Sequence, residues 1–132
     1  MHAAKPRQTA VMVVEDEVEI SDVVTTALAD LGYRVLLAED GGDALELVRH
    51  GPPDAIVLDL KLPHVDGWEV VRRCRANPET AAVPIIVMSA ARDAVEDGDI
   101  RPLVFVEKPF DLDVLLVLVE DAVSSAARSA IA

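Results

Sequence analysis

The chain has 132 residues, which fits one domain with a single core that needs no staples. Twelve basic residues against twenty-four acidic ones give a net charge of -12, which repels phosphate backbones and anionic lipid, so direct nucleic-acid binding is not expected. No segment approaches the ~18 uninterrupted apolar residues of a membrane span, and the apolar run before Glu15-Asp16-Glu17 is too short for a signal peptide, so a soluble, cytoplasmic protein is the expectation.

Hydrophobic residues make up 52% of the chain, yet only Tyr33, Trp68, Phe105 and Phe110 are aromatic. The core must therefore consist mainly of Val, Leu, Ile and Ala, which favours buried parallel strands under helices. Cys74 is the single cysteine; it excludes an internal disulfide, suits a reducing compartment and reads as a small apolar residue on a helix.

In chain order, residues 1–8 are polar and predict a disordered tail. Five short apolar runs follow, at Ala10–Val14, Arg34–Leu37, Ala55–Leu58, Ile85–Met88 and Leu103–Val106, each of strand length. Between the first two, Ile20, Val24, Ala27, Leu28 and Leu31 recur at helical spacing, with Gly32 as the stop. Asp43–His50 predicts a second helix, closed by Gly51-Pro52-Pro53, and Trp68–Ala76 a third, entered through Asp66-Gly67. The last helix follows Pro109, with Asp111 as its cap and Leu112, Leu115, Leu116, Val119 and Val123 on the face that packs on the sheet. Val114, Val117 and Leu118 fall on the opposite side. A domain over 9–127 with a tail at 128–132 is expected.

Strand and helix in alternation imply a doubly wound parallel α/β sheet with right-handed crossovers and helices on both faces. Ligands in such sheets sit at the carboxyl ends of the strands, where the winding reverses. Glu15 and Asp16 follow the first run, Asp59 the third, Ser89 the fourth, and Glu107-Lys108-Pro109 the fifth. In the flavodoxin-like order 2-1-3-4-5 the first and third strands are neighbours, so Glu15, Asp16 and Asp59 would converge. Three carboxylates together favour a bound cation, and oxygen donors without His or Cys suit magnesium, Mg²⁺, rather than zinc. With Ser89 and Lys108 beside them, the set supplies what phosphoryl transfer needs, with Asp59 as the nucleophile. Taken singly, each has a plainer reading: Asp59 opening a loop, Glu15-Asp16-Glu17 capping the first helix, Ser89 capping another, Lys108 solvated. All four plain readings would have to hold at once, on four strand ends.

The strings VVEDE (Val13–Glu17), LDLKLPHVDG (Leu58–Gly67), MSA (Met88–Ala90) and VEKPF (Val106–Phe110) strongly resemble the receiver domain of bacterial two-component response regulators. The resemblance covers about residues 9–127. It implies that Asp59 accepts a phosphoryl group from a histidine kinase or histidine phosphotransfer protein. It implies direct Mg²⁺ ligation by Asp16, Asp59 and the backbone carbonyl of Lys61, with Glu15 helping through water. Lys108 would contact a phosphoryl oxygen, the Lys108-Pro109 bond would be cis, and Ser89 would swing toward the phosphoryl group, drawing Phe105 inward as the coupled switch. Such a domain catalyses only its own phosphorylation and dephosphorylation, and its output is an unidentified downstream protein.

Three features set expectations of their own. Only thirteen residues separate Ser89 from Leu103, which predicts a short or partly unwound helix in that crossover. Val114, Val117 and Leu118 offer a docking patch on the last helix, such as a homodimer would use. Ala91 has no polar group to orient a hydrolytic water and Lys61 can screen the phosphoryl group, which predicts slow self-dephosphorylation. Besides a stand-alone regulator, a receiver cut from a longer regulator or hybrid kinase fits the sequence. A haloacid dehalogenase-type phosphatase fits less well, because Lys61 stands where that family places its acid. Flavin binding fits least, since Glu15-Asp16-Glu17 would repel the flavin phosphate.

Overall fold

The structure is a computed structural model; it describes residues 8–89 and 103–131, apart from the side chains of 103 and 127–131. Strands β1 (Ala10–Val14), β2 (Arg34–Ala38), β3 (Ala55–Asp59), β4 (Ile85–Ser89) and β5 (Leu103–Glu107) form one sheet. All pairings are parallel, and the order is β2-β1-β3-β4-β5. This is the doubly wound sheet expected from the alternation. Helices α1 (Val18–Asp30), α2 (Gly41–Arg49), α3 (Gly67–Ala76) and α4 (Leu112–Ile131) cover its two faces.

The pleat sorts the apolar runs into two cores. Met12, Val14, Ile56, Leu58, Ile85 and Val87 point to the face that packs on α2 and α3, through Ala44, Val48, Trp68, Val70, Val71 and Cys74. Val11, Val13, Val57, Ile86 and Met88 point the other way, against Val24 and Leu28 of α1 and Leu115 and Val119 of α4. β1, β3 and β4 are buried along their whole length, which is why they read as continuous apolar runs rather than alternating ones. Cys74 is buried, and that burial pushes its thiol pKa up, as an inert core residue requires.

Four strands extend one residue beyond the apolar run that announced them, to Ala38, Asp59, Ser89 and Glu107. Ladder bonds are made by the backbone, so the pairings continue to Asp59↔Met88 and Ser89↔Glu107 where the side chains turn polar. α2 begins at Gly41 rather than Asp43, because the Asp40 carboxylate accepts from the Asp43 amide at 2.8 Å and organises the first turn. Gly32, at φ 95°, closes α1 as expected, whereas Leu31 lies beyond the helix and is exposed. Asp111 does cap α4, accepting from the Asp113 amide at 2.9 Å. α4 runs on to Ile131. Leu118 is a correction: it packs partly buried against the core, leaving Val114 and Val117, 52% and 55% exposed, as the outward pair. The expectations for the N-terminal tail, for the crossover between Ser89 and Leu103 and for Ala91 lie outside the described residues.

Candidate functional site

The switch point lies between β1 and β3, whose chains diverge to opposite faces beyond Val14 and Asp59. Glu15, directly after β1, still donates its amide to Ala38 of β2 at 3.0 Å, and this bond fixes where its side chain leaves the sheet. That side chain is buried, only 1% exposed, while its neighbour Asp16 stands in solvent. Asp59, the last residue of β3, is buried as well. Ligand atoms of Glu15, Asp16 and Asp59 all lie within 4.8 Å of one another.

Among the described residues, one cation enters this acidic group. The Lys108 ammonium bridges Glu15 Oε1 at 3.1 Å and Asp59 Oδ2 at 3.0 Å. Its backbone is placed by a 2.7 Å bond from its amide to the Ser89 carbonyl, and the Lys108-Pro109 peptide is cis. The second Asp59 oxygen, Oδ1, accepts from the Lys61 amide at 3.0 Å. Asp59 is therefore gripped on both oxygens, in one orientation. Glu15 Oε2 accepts from the Glu17 amide at 3.3 Å.

The electrostatics follow from this crowding. Burial pushes the Glu15 pKa up to about 7; the hydrogen bond to Asp59 adds to the rise, and Lys108 opposes it. Burial alone would lower the Lys108 pKa, but the bonds to Asp59 and Glu15 outweigh it and raise the value above the ordinary one. The capping reading of the acidic triplet does not hold for Glu17, which occupies the N-cap position of α1 without a side-chain bond there. Hard oxygen donors crowded together fit a small divalent cation.

The loop after β3 is closed by a tight backbone crossing. The Gly67 amide donates to the Leu60 carbonyl at 3.1 Å, and a Cβ at Gly67 would sit 2.6 Å from the Leu60 Cα and 2.8 Å from the Asp59 carbonyl oxygen. The Asp66 carboxylate caps α3 by accepting from the Trp68 amide at 2.9 Å. Within this loop His64 adopts φ 69°. Beside the acidic cluster opens a cleft of about 780 Å³, lined by Asp16, the loop from Leu60 through His64, Asp66 and Trp68.

Of the residues singled out from sequence, Glu15, Asp16, Asp59 and Lys108 meet directly, and Lys61 joins them through its backbone. Ser89 ends the neighbouring strand, buried. Phe105 lies mid-strand on β5, opposite Val87, and is 44% exposed. Sequence reasoning overlooked the contact between Trp68 and Phe105, whose ring centroids are 6.1 Å apart at a tilt of 56°. The available signal was that two of only four aromatic residues flank the motif strings.

Comparison with known proteins gives consistent relatives. The family model for the response regulator receiver domain matches residues 11–120. The transcriptional regulatory protein DltR of Streptococcus agalactiae serotype III is 40% identical over 106 residues, covering 80% of this chain and 47% of the relative. The chain thus spans about half the length of the curated relatives it matches. The fold is similar to that of the chemotaxis response regulator CheY4 of Vibrio cholerae, with a TM-score of 0.81 at 26% identity over 88% of this chain and 99% of the other. It is also similar to the receiver domain of the sensor histidine kinase PA1611 of Pseudomonas aeruginosa, whose crystal structure has a magnesium ion coordinated in the active site cleft. That match has a TM-score of 0.77 at 29% identity, over 89% of this chain and 99% of the other.

Proposed function

The chain belongs to the response regulator receiver domain family, and from that premise we propose that Asp59 accepts a phosphoryl group from a histidine kinase or histidine phosphotransfer protein in a Mg²⁺-dependent reaction. The observation that carries this reading is the Lys108 bridge between Glu15 and Asp59, whose cluster partner Asp16 lines the adjoining cleft. An Asp59 oxygen attacks phosphorus, the bond from phosphorus to the donor imidazole nitrogen breaks, and that nitrogen keeps the electron pair. Lys108 moves from its carboxylate partners to a phosphoryl oxygen, offsetting charge that develops there. Lys61, through its amide on Oδ1, keeps the attacking carboxylate from turning. Asp16, Asp59 and the Lys61 carbonyl would hold the metal, with Glu15 behind them, and bound Mg²⁺ would neutralise phosphoryl charge.

Once the phosphoryl group is in place, Ser89 moves toward it and Phe105 turns inward, so that the phosphate biases a population between two states. The changed surface then controls a partner protein. The chain spans about half the length of these relatives, so the domain also fits as the receiver part of a longer regulator or hybrid kinase. The net charge of -12 favours protein rather than nucleic acid as the direct partner of this domain.

Incubation with acetyl phosphate and Mg²⁺ tests the reading by mass spectrometry. We expect addition of one phosphoryl group, absent in Asp59→Ala. Turnover of unrelated phosphomonoesters with release of inorganic phosphate would instead favour the phosphatase reading.

A further inference from the structure

Ser89 and Phe105 do not account for every link between the acidic cleft and β5. Trp68 is 7% exposed and does two things at once. It is among the residues that line the cleft with Asp16 and Lys61, and its ring packs against that of Phe105. Its backbone is tied to the loop that follows Asp59: its amide bonds the Asp66 cap, and its neighbour Gly67 is pinned to Leu60 with no room for a side chain. Trp68 is therefore anchored through its backbone on the phosphoacceptor side, whereas Phe105 is 44% exposed. Tilted aromatic pairs at this separation are attractive beyond their buried area.

We propose that Trp68 is a positioning residue that holds Phe105 in its half-exposed resting place, so that the loop after Asp59 acts on β5 directly and in parallel with Ser89. This rests on the receiver reading above. On this proposal inward movement of Phe105 breaks the observed pair, and the indole stabilises the resting state. Removing it shifts the resting population toward the inward state by roughly two- to twelve-fold, the range such a pair carries. Apparent affinity for the phosphoryl mimic BeF₃⁻ tightens by up to the same factor, because ligand binding and the conformational equilibrium are linked.

The test uses 4-fluorophenylalanine at position 105 and fluorine NMR, titrating BeF₃⁻ with Mg²⁺ into the full chain. In Trp68→Leu the resting signal is expected to move toward the BeF₃⁻-bound position, and BeF₃⁻ is expected to bind more tightly. Trp68→Phe, which keeps a ring in place, is expected to restore much of the wild-type behaviour; a merely structural role would leave the fluorine signal and the BeF₃⁻ affinity of folded Trp68→Leu unmoved. Since Trp68→Leu opens the core and can impair folding, the second arm leaves Trp68 in place and reads its fluorescence in Phe105→Leu. There the BeF₃⁻-induced emission change is expected to fall well below that of the wild type. Unaltered fluorine signals in folded Trp68→Leu, or an undiminished emission change in Phe105→Leu, would overturn the inference while leaving the receiver reading intact. Failure of the wild type to bind BeF₃⁻ at all would overturn the receiver reading and this inference with it.

Discussion

Glu15 and Lys108 illustrate how a site of like charges is kept folded. Each carboxylate next to Asp59 raises the cost of ionising the others, and the ammonium of Lys108 offsets part of that cost. Replacing Lys108 with Ala is expected to slow phosphorylation by acetyl phosphate on the order of 10²-fold, the usual effect of removing one preorganised donor; an unchanged rate would exclude it from the reaction. The Glu15 carboxyl, raised from 4.5 to about 7, holds its proton more tightly folded than unfolded. Its stabilising contribution is therefore complete below pH 4.5 and is lost as pH rises through about 7. The difference in urea-unfolding stability between the metal-free wild type and Glu15→Gln should change across that window and flatten on either side. The side chain of Lys61 stands exposed beside the cleft, where it can shield the aspartyl phosphate from water. Phospho-Asp59 is expected to outlast a few minutes and to decay faster in Lys61→Ala, as followed by loss of the mass gain. The convergence of Glu15, Asp16, Asp59 and Lys108 was legible because each stands at a strand end of a foreseeable sheet. The Trp68–Phe105 contact was not, since two aromatic residues placed beside the motif strings do not by themselves report that one faces the other across two elements.

Among the elements, β1, β3 and β4 announced themselves because burial on both faces leaves unbroken apolar runs. Their ends were the less legible part. Hydrophobicity stops where chemistry starts, while the backbone ladder carries on to Asp59 and Ser89 and lends those side chains the rigidity of the sheet. The start of α2 was hidden for a different reason: glycine is a poor helix former, and only the Asp40 cap makes Gly41 and Gly42 helical. The crossing of Gly67 over Leu60 makes a sharp prediction at this scale. Gly67→Ala forces the backbone at 67 away from that of Asp59 and Leu60 and is expected to cost about 1–3 kcal/mol, as overpacking does. Urea denaturation would measure the loss, and the displaced loop should slow phosphorylation as well.

At the scale of the molecule, alternation and handedness pointed to a doubly wound parallel sheet with its site at the strand ends, while the order β2-β1-β3-β4-β5 came from the flavodoxin-like pattern, which the observed sheet matches. What could not be foreseen was which outward residues of α4 are truly outward. Helical spacing put Leu118 beside Val117, but α4 is rotated enough for Leu118 to reach the core. A docking-patch test should therefore change Val114 and Val117 to Glu, leaving Leu118 alone. Self-association or partner capture is expected to fall with thermal stability held within about 0.5 kcal/mol, as for surface changes generally. α4 has a further consequence. Its 20 residues extend about 30 Å, nearly twice the roughly 17 Å of a five-residue strand. It overhangs the sheet like an axle, and anything joined rigidly to its end inherits a rotational phase. Each residue added to that helix turns the attached module by about 100°, so a reporter fused there would gain and lose its response with a period near ~3.6 residues rather than steadily with distance.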